Sequence, residues 1–252
     1  MTVYFIGAGP GAPDLLTLRG AEILGRCTVC LYAGSLVPQQ MLDRCPPGAR
    51  LVDTARMPLP DIVDELIAAH EAGLDVARLH SGDISLYSAF TEQARRLDAA
   101  GVPYEIVPGV PAFAAASAAL GRELTVPGVG QSLLITRVST LSTDMPAGED
   151  LASLARAGVT LALHLAAHRA QALTDDLVPH YGADCPVAVV AFASREDERI
   201  VRCRLADLPQ RLAAEGITRT AVIFVGKVLD AEAFEESYLY SARRLRPPGA
   251  SH

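Results

Sequence analysis

The sequence predicts an α/β protein of two α/β domains, the N-terminal one on a mostly parallel sheet and the C-terminal one on a mixed sheet. Three observations carry that reading. Short apolar runs alternate with amphipathic helical stretches through the first half, the rhythm of a parallel sheet. Four loops, Gly7-Ala8-Gly9-Pro10-Gly11, Tyr32-Ala33-Gly34-Ser35-Leu36, Ser81-Gly82-Asp83-Ile84-Ser85-Leu86-Tyr87 and Val107-Pro108-Gly109-Val110, fall where those strands should end. Ligands of open α/β sheets bind at the carboxyl ends of strands, so four such loops imply one shared small-molecule site. In the second half, Arg199–Leu205 alternates Ile200, Val201, Cys203 and Leu205 imperfectly with Arg202 and Arg204, as a half-exposed antiparallel strand would.

Taken in order, Val3–Ile6 is the first strand and Thr17–Gly25 the first helix, spaced by Leu18, Ala21, Ile23 and Leu24. Thr28–Tyr32 and Leu51-Val52 are strands. Pro60–Ala72 is a helix with Ile62, Val63, Leu66 and Ile67 on one side and Asp61, Asp64, Glu65 and Glu71 elsewhere. Val76–His80 is a strand, Ser88–Ala100 a helix, Tyr104–Val107 a strand, and Pro111–Leu120 an Ala-rich helix with Pro at its opening position. Pro127, Gly128 and Gly130 break the rhythm. The expected domains are therefore 1–121 and 122–242, with a loose Arg-, Pro- and Gly-rich tail at 243–252. Strands resume at Ser132–Val138, Val159–Leu165, Val187–Phe192, Arg199–Leu205 and Thr220–Val225, with helices at Glu149–Ala157, His168–Leu177 and Leu208–Glu215.

The 252 residues are half hydrophobic and contain no Trp, enough apolar mass for a substantial core. A net charge of −7 argues against a nucleic-acid footprint. Lys227 is the single lysine, so positive charge is almost all arginine, by codon bias or for planar carboxylate recognition. No apolar run approaches the roughly 20 residues of a membrane span. The start, Met1-Thr2-Val3-Tyr4-Phe5-Ile6, lacks a basic region and a cleavage-like site, so no signal peptide is expected and the protein reads as cytoplasmic.

Several motifs need weighing. Gly7-x-Gly9-x-x-Ala12 fits the dinucleotide fingerprint, but Pro10 and Pro13 delay the helix, and Tyr32-Ala33-Gly34 offers no acid for a ribose. Asp83, after Gly82, can cap the next helix or bind a ligand hydroxyl or cation. Cys27-Thr28-Val29-Cys30 matches C-x-x-C, yet on a strand its thiols point to opposite faces, which favours buried core. His164 and His168 read as a strand residue and a helix-opening residue rather than as a metal pair, so no metal site is expected. No Gly-x-Ser-x-Gly, P-loop or evident acid, base or nucleophile array is present, which favours chemistry between two ligands that the protein positions.

Together and in order, these loops resemble the tetrapyrrole (uroporphyrinogen III and corrin) methylase family. Gly7 to Thr17 resembles its opening motif, and His80-Ser81-Gly82-Asp83 with Leu86-Tyr87 its second, with Ile84 where Pro is usual. Val107–Val110 with Ala114-Ala115-Ala116 resembles the third, and Thr220–Leu229 the closing strand. Tyr32–Val37, Thr136-Arg137-Val138-Ser139 with Met145-Pro146, and Ser194–Ile200 as Ser-x-x-Asp-Glu-x-Ile are similar to one branch, the precorrin-4 C(11)-methyltransferases of cobalamin synthesis. The likeness covers roughly residues 1–230.

The resemblance implies the tetrapyrrole methylase fold, a homodimer, and S-adenosylmethionine bound between the domains. It implies methyl transfer to a ring carbon of precorrin-4, leaving S-adenosylhomocysteine. Gly82, Asp83 and Ile84 would hold the methionine or ribose part of the cofactor, with Ser81 near the reacting methyl and no further catalytic residue assigned. Ala112 and Phe113 would lie beside the cofactor, and Leu165, Ala193 and Val225 beside its adenine. Pro10, Gly11 and Ser35 would border the substrate. A polycarboxylate substrate asks for local positive charge, for which Arg56, Arg122, Arg137 and Arg195 are candidates. Alternatives are the cobalt-containing version of the reaction, another corrin-ring methylase, a non-catalytic binder of S-adenosylmethionine or tetrapyrrole, and, disfavoured, an NAD-linked oxidoreductase.

Overall fold

A computed structural model describes residues 1–139, 144–234 and 237. The expected tail at 243–252 lies outside the described residues. The chain divides into two compact units, Met1–Ala116 with Phe192–Glu198, and Ser117–Ala191 with the residues from Arg199 onward. The division falls inside one helix, and the short segment after residue 191 groups with the first unit.

The first unit is built on β1 (Val3–Gly7), β2 (Val29–Tyr32), β3 (Arg50–Asp53), β4 (Val76–His80) and β5 (Tyr104–Val107), with helices α1 (Leu18–Leu24), α2 (Gln39–Leu42), α3 (Leu59–Glu71), α4 (Phe90–Ala100) and α5 (Ala112–Leu120). All pairings in the order β3-β2-β4-β1-β5 are parallel. Successive side chains of a strand face opposite ways, which gives the sheet two apolar faces. Tyr4, Ile6, Cys30, Ala77 and Leu79 pack with Ile23 and Leu24 of α1 and Met41 and Leu42 of α2. Val3, Phe5, Val29, Leu31 and Val76 pack with Ile62, Val63 and Leu66 of α3 and Leu97 of α4.

That division of helices locates a crevice. β1 and β4 are neighbours, yet the chain leaves β1 for α1 on one face and leaves β4 for α4 on the other. Diverging connections at adjacent carboxyl ends are the topological switch point at which open α/β sheets bind ligands.

The second unit holds β6 (Leu133–Arg137), β7 (Thr160–His164), β8 (Pro186–Ala191), β9 (Arg199–Arg204) and β10 (Ala221–Val225), with α6 (Leu151–Ala155), α7 (Ala170–Tyr181) and α8 (Leu208–Ala214). Its sheet, β6-β7-β10-β8-β9, is mixed. β6 and β7 are parallel, whereas β10 is antiparallel to both neighbours and β9 antiparallel to β8.

The C-x-x-C expectation needs correction. β2 begins only at Val29, and Cys27 still belongs to the turn after α1, its N–H donating to the Ile23 carbonyl at 3.2 Å. Both thiols consequently enter the same core cluster, with Cys45 packed against it. They are buried and inert in character: burial pushes the Cys27 thiol up to about 12, and the hydrogen bond with Cys45 together with burial pushes Cys30 up as well. His164 ends β7 and His168 lies in a 3-10 turn, so the two do not share a helix. Among the described residues no helix is long and apolar enough to cross a membrane.

Candidate active site

At the carboxyl edge of the first sheet, three of the four Gly loops are packed backbone on backbone. Ala8 N–H donates to the His80 carbonyl at 2.7 Å, and Gly9 and Gly82 exchange two bonds of 3.1 and 2.7 Å. A Cβ on Gly7 would stand 2.6 Å from Gly109 N and 2.8 Å from Gly82 O, and one on Gly109 would overlap the Gly82 carbonyl. These glycines are therefore required by the approach of the β1, β4 and β5 loops to one another. Gly82 is different: a Cβ there would make only ordinary contact with the start of α5, at 3.7 Å from Ala112 N and 3.9 Å from Pro111 Cα, and it is the left-handed φ of +71° that favours glycine.

Asp83 braces these loops. One carboxylate oxygen accepts from Gly109 N–H at 2.7 Å; the other accepts from Ser85 N–H at 2.9 Å and from the Ser85 hydroxyl. Burial pulls its pKa upward, but the hydrogen bonds from Ser85 and Gly109 outweigh that and hold it below the ordinary range. Asp83 thus stays ionised and does not cap the next helix, whose cap is Ala89. Ile84 turns its side chain into the core between the sheet and α3, so only its backbone faces the loop. Ser81 and Asp83 are half-buried beside the buried Gly82, and Ala112 and Phe113 open α5.

The β1 loop carries a second contact. Ala12 N–H donates to Ser194 Oγ at 3.0 Å, and Ser194 N–H donates to Glu198 at 2.6 Å. The stem of Arg195 lies directly over Gly11, where any Cβ would collide with it. The Arg195 guanidinium sits 5.5 Å from the Phe192 ring centroid, with Nε 3.3 Å from Asp197. Gly11–Pro13, Pro38, Gln40 and Ser194–Asp197 line a cleft of about 520 Å³. Pro10 is half-buried beside it, Ala193 is buried, and Ser35 lies in the 3-10 turn Gly34–Leu36 at the same sheet edge.

In each unit, left-handed non-glycine residues gather at strand ends. Tyr87 and Ala89 after β4, Leu165 after β7, Phe192 and Ser194 after β8, and Thr220 before β10 all hold positive φ between 52° and 65°. Because β10 runs antiparallel, its start lies at the same sheet edge as the ends of β7 and β8. Non-glycine residues in this region cost energy and cluster at functional sites.

The same direction separates two residues that were expected side by side. Val225 ends β10 opposite Leu161, four residues back along β7 from Leu165 and therefore about 13 Å away at strand spacing. Val225 is fully buried at the opposite edge and is not a neighbour of whatever Leu165 touches. Thr220 and Ala221, at the start of β10, lie on the sheet edge that Leu165 follows. Arg122 is also at that far edge: with Arg202 and Arg204 it lines a cleft of about 330 Å³ beside Val187 and Ala188 at the start of β8, and donates to the Ala231 carbonyl at 3.3 Å. Arg137 ends β6 on the Leu165 edge, its guanidinium bonded to the carbonyls of Val138 and Asp144. Arg56 is exposed in the turn after β3.

Residues 2–209 match the family model of the Tetrapyrrole (Corrin/Porphyrin) Methylases. The chain belongs to this family. It is 62% identical over 246 residues to the Precorrin-4 C(11)-methyltransferase of Rhodococcus erythropolis, a match covering 98% of this chain and 99% of that one. The X-ray structure of a cobalt precorrin-4 methyltransferase, a cobalamin biosynthetic enzyme, superposes with a TM-score of 0.89 at 38% identity, covering 91% of this chain and 96% of that one. Uroporphyrin-III C-methyl transferase from Thermus thermophilus, solved as a complex with S-adenosylhomocysteine, does so with a TM-score of 0.77 at 29% identity, covering 94% and 97%. A tetrapyrrole methylase accounts for an edge rich in backbone contacts and poor in acid–base side chains.

Proposed function

We propose that this tetrapyrrole methylase is an S-adenosylmethionine-dependent methyltransferase that methylates precorrin-4 at C-11, giving precorrin-5 and S-adenosylhomocysteine. The observation that carries the reading is the full-length likeness to the Rhodococcus enzyme, joined to the placement of the branch-specific Ser194–Glu198 segment on the Gly11 loop.

The residues present suit the cofactor. The loops at residues 7–16, 33–38, 81–89 and 108–111 contain Asp14 and Asp83 and no Lys or Arg of their own, the nearby cation being Arg195 over Gly11. S-adenosylmethionine supplies a methyl group already activated for transfer. Gly82 supplies the left-handed turn that opens the loop beside Ala112, the backbone of Ile84 faces the loop, and the ionised Asp83 adds negative charge while holding the β4 and β5 loops together. Ser81 and Phe113 border this position, and Leu165, Ala193, Thr220 and Ala221 are proposed for the adenine. Pro10, Gly11 and Ser35 are proposed for the tetrapyrrole, with Arg56, Arg137 and Arg195 for its carboxylates.

The electron-rich C-11 of precorrin-4 contributes the pair for the new carbon–carbon bond, the pair of the broken carbon–sulfur bond leaves with sulfur, and the alkylated ring, which takes on the positive charge, releases one proton to solvent. This chemistry asks the chain for orientation more than for proton transfer, and orienting two bound reactants can be worth about 7–11 kcal/mol. The proposal includes a homodimer, as the family resemblance implies, acting in the cytoplasm.

The test is turnover. The purified protein is mixed with S-adenosylmethionine and either precorrin-4 or cobalt-precorrin-4, and S-adenosylhomocysteine release is followed. Release with precorrin-4 is expected. Release with the cobalt form alone would move the protein to the other substrate, and cofactor binding without release from either would make it a non-catalytic binder.

A further inference from the structure

The central strand of the first sheet carries a buried cation that the methyl-transfer reading leaves unused. Arg78, in the middle of β4, is only 5% exposed, and no carboxylate is paired with it among the described residues. Its partners are neutral. Nη1 donates to Thr54 Oγ1 at 2.9 Å and Nε to Gln93 Oε1 at 3.2 Å; Thr54 and Gln93 are themselves 6% and 2% exposed. Burial pulls the guanidinium down to about 10, still charged at neutral pH.

Each partner continues to a loop. Thr54 Oγ1 donates onward to the Tyr32 carbonyl at 2.9 Å, where the chain enters the Ala33–Leu36 loop. The adjacent Ala55 is so close to Gly34 that a Cβ there would come within 2.7 Å of the Ala55 methyl. On the other side, Gln93 Nε2 donates to the carbonyl of Ala89, a left-handed residue at φ 53° closing the loop that began at Ser81. His80, two residues along the same strand face, is buried against Phe5 and bonds the backbone of Ser88, next to Ala89. One continuous chain of hydrogen bonds, buried at Arg78 and partly buried towards each loop, therefore runs from the β2 and β3 loops through Arg78 to the return arm of the β4 loop.

A buried ion commonly stabilises less than apolar residues of its size, so keeping one with only neutral partners favours a role in fixing an arrangement. We infer that Arg78 is a positioning residue that sets the Ala33–Leu36 loop, assigned to the tetrapyrrole, against the Ser81–Ala89 loop, assigned to the methyl donor. The functional half of this inference rests on the proposed methyl transfer; the structural half does not.

The experiment compares Arg78→Met, Arg78→Lys and Thr54→Val with the unaltered protein by hydrogen exchange, steady-state kinetics and S-adenosylhomocysteine titration. Arg78→Met should speed exchange of amides in both Tyr32–Leu36 and Ser81–Ala89. It should lower kcat about tenfold or more, while both KM values and the S-adenosylhomocysteine Kd move less than about threefold, because orientation is lost rather than binding. Arg78→Lys, keeping the charge and one donor arm, should recover part of kcat. Thr54→Val, which should fold whatever Arg78→Met does, should loosen the Tyr32–Leu36 loop alone. Unchanged kcat in folded Arg78→Met, exchange confined to one loop, or a rise in KM with kcat unchanged would overturn the inference. Absence of turnover in the unaltered protein would remove the proposed reaction, and the exchange pattern would still decide whether Arg78 couples the loops.

Discussion

Gly109→Ala tests most sharply what the glycines at the sheet edge are for. The added methyl would overlap the Gly82 carbonyl and stand 2.7 Å from Gly7 C and Cα, all of them backbone atoms of neighbouring loops. No side chain can rotate away, so the β1 and β4 loops must separate and the paired Gly9–Gly82 bonds of 3.1 and 2.7 Å must lengthen or break. Two backbone bonds at about 1 kcal/mol each and about 1–3 kcal/mol of overpacking put the loss at about 3–5 kcal/mol. That is a large part of the roughly 5–15 kcal/mol that holds a typical domain. Gly48→Ala is the control: it also has a positive φ, +82°, but nothing lies within 4 Å. It should cost only the left-handed penalty of about 1–2 kcal/mol. A chain of two compact units need not unfold in one step, and there is no Trp to report on either unit. Hydrogen exchange at the Val3–Gly7 amides therefore provides the free energy of the first unit. If Gly109→Ala cost no more than Gly48→Ala, and S-adenosylhomocysteine still bound normally, the close packing would not be the reason for glycine there.

Other outcomes follow from the same geometry. Burial, with the nearby Arg78 charge, holds His80 down at about 3, against a bonding partner at Ser88 that pulls it up, and burial also lowers His164. Below pH 6.5 the unfolded chain takes up protons that the native chain refuses, so stability falls with pH, by about 1.4 kcal/mol at pH 5.5 for His80 alone. Chemical denaturation across pH 7 to 5 checks this, and a flat profile would contradict it. Asp83→Asn removes the charge beside the proposed sulfonium and, with one acceptor oxygen for the Gly109 and Ser85 donors, also gives up part of the brace between the loops. Calorimetry should show both ligands weakened, S-adenosylmethionine about tenfold more than S-adenosylhomocysteine, whereas equal losses would deny the charge any role. Leu165→Gly relieves a left-handed leucine that is 55% exposed. It should raise stability by up to about 1 kcal/mol while weakening cofactor binding, and unchanged binding would take Leu165 out of the site.

Much of this was legible in the residues. The strands read correctly because a parallel strand buried on both faces is a short apolar run between glycines, as in Val3–Gly7 and Val76–His80. What sequence could not supply was direction and distance. Val225 looked like the end of a strand bearing a loop, but β10 runs against its neighbours, so its start carries the edge residues. Ser194–Glu198 follows a strand of the second unit yet belongs to the first, because Ser194 Oγ accepts from Ala12. The short α2 escaped notice, since Gln39–Leu42 makes barely one turn. Cys27 continues the apolar pattern of a strand that begins two residues later. Arg78 did leave a signal, a lone cation inside the apolar run Val76–His80, but its meaning depended on Thr54 and Gln93 lying beside it.

The measurement that bears most directly on the account is the fate of the methyl carbon. The protein is incubated with precorrin-4 and S-adenosylmethionine carrying a carbon-13 methyl, and the product is examined by carbon NMR. A single labelled methyl at ring position 11 is expected. Label at another ring carbon would contradict the assigned substrate position while leaving the family intact. No label in either precorrin-4 or its cobalt form would contradict methyl transfer to precorrin-4 itself.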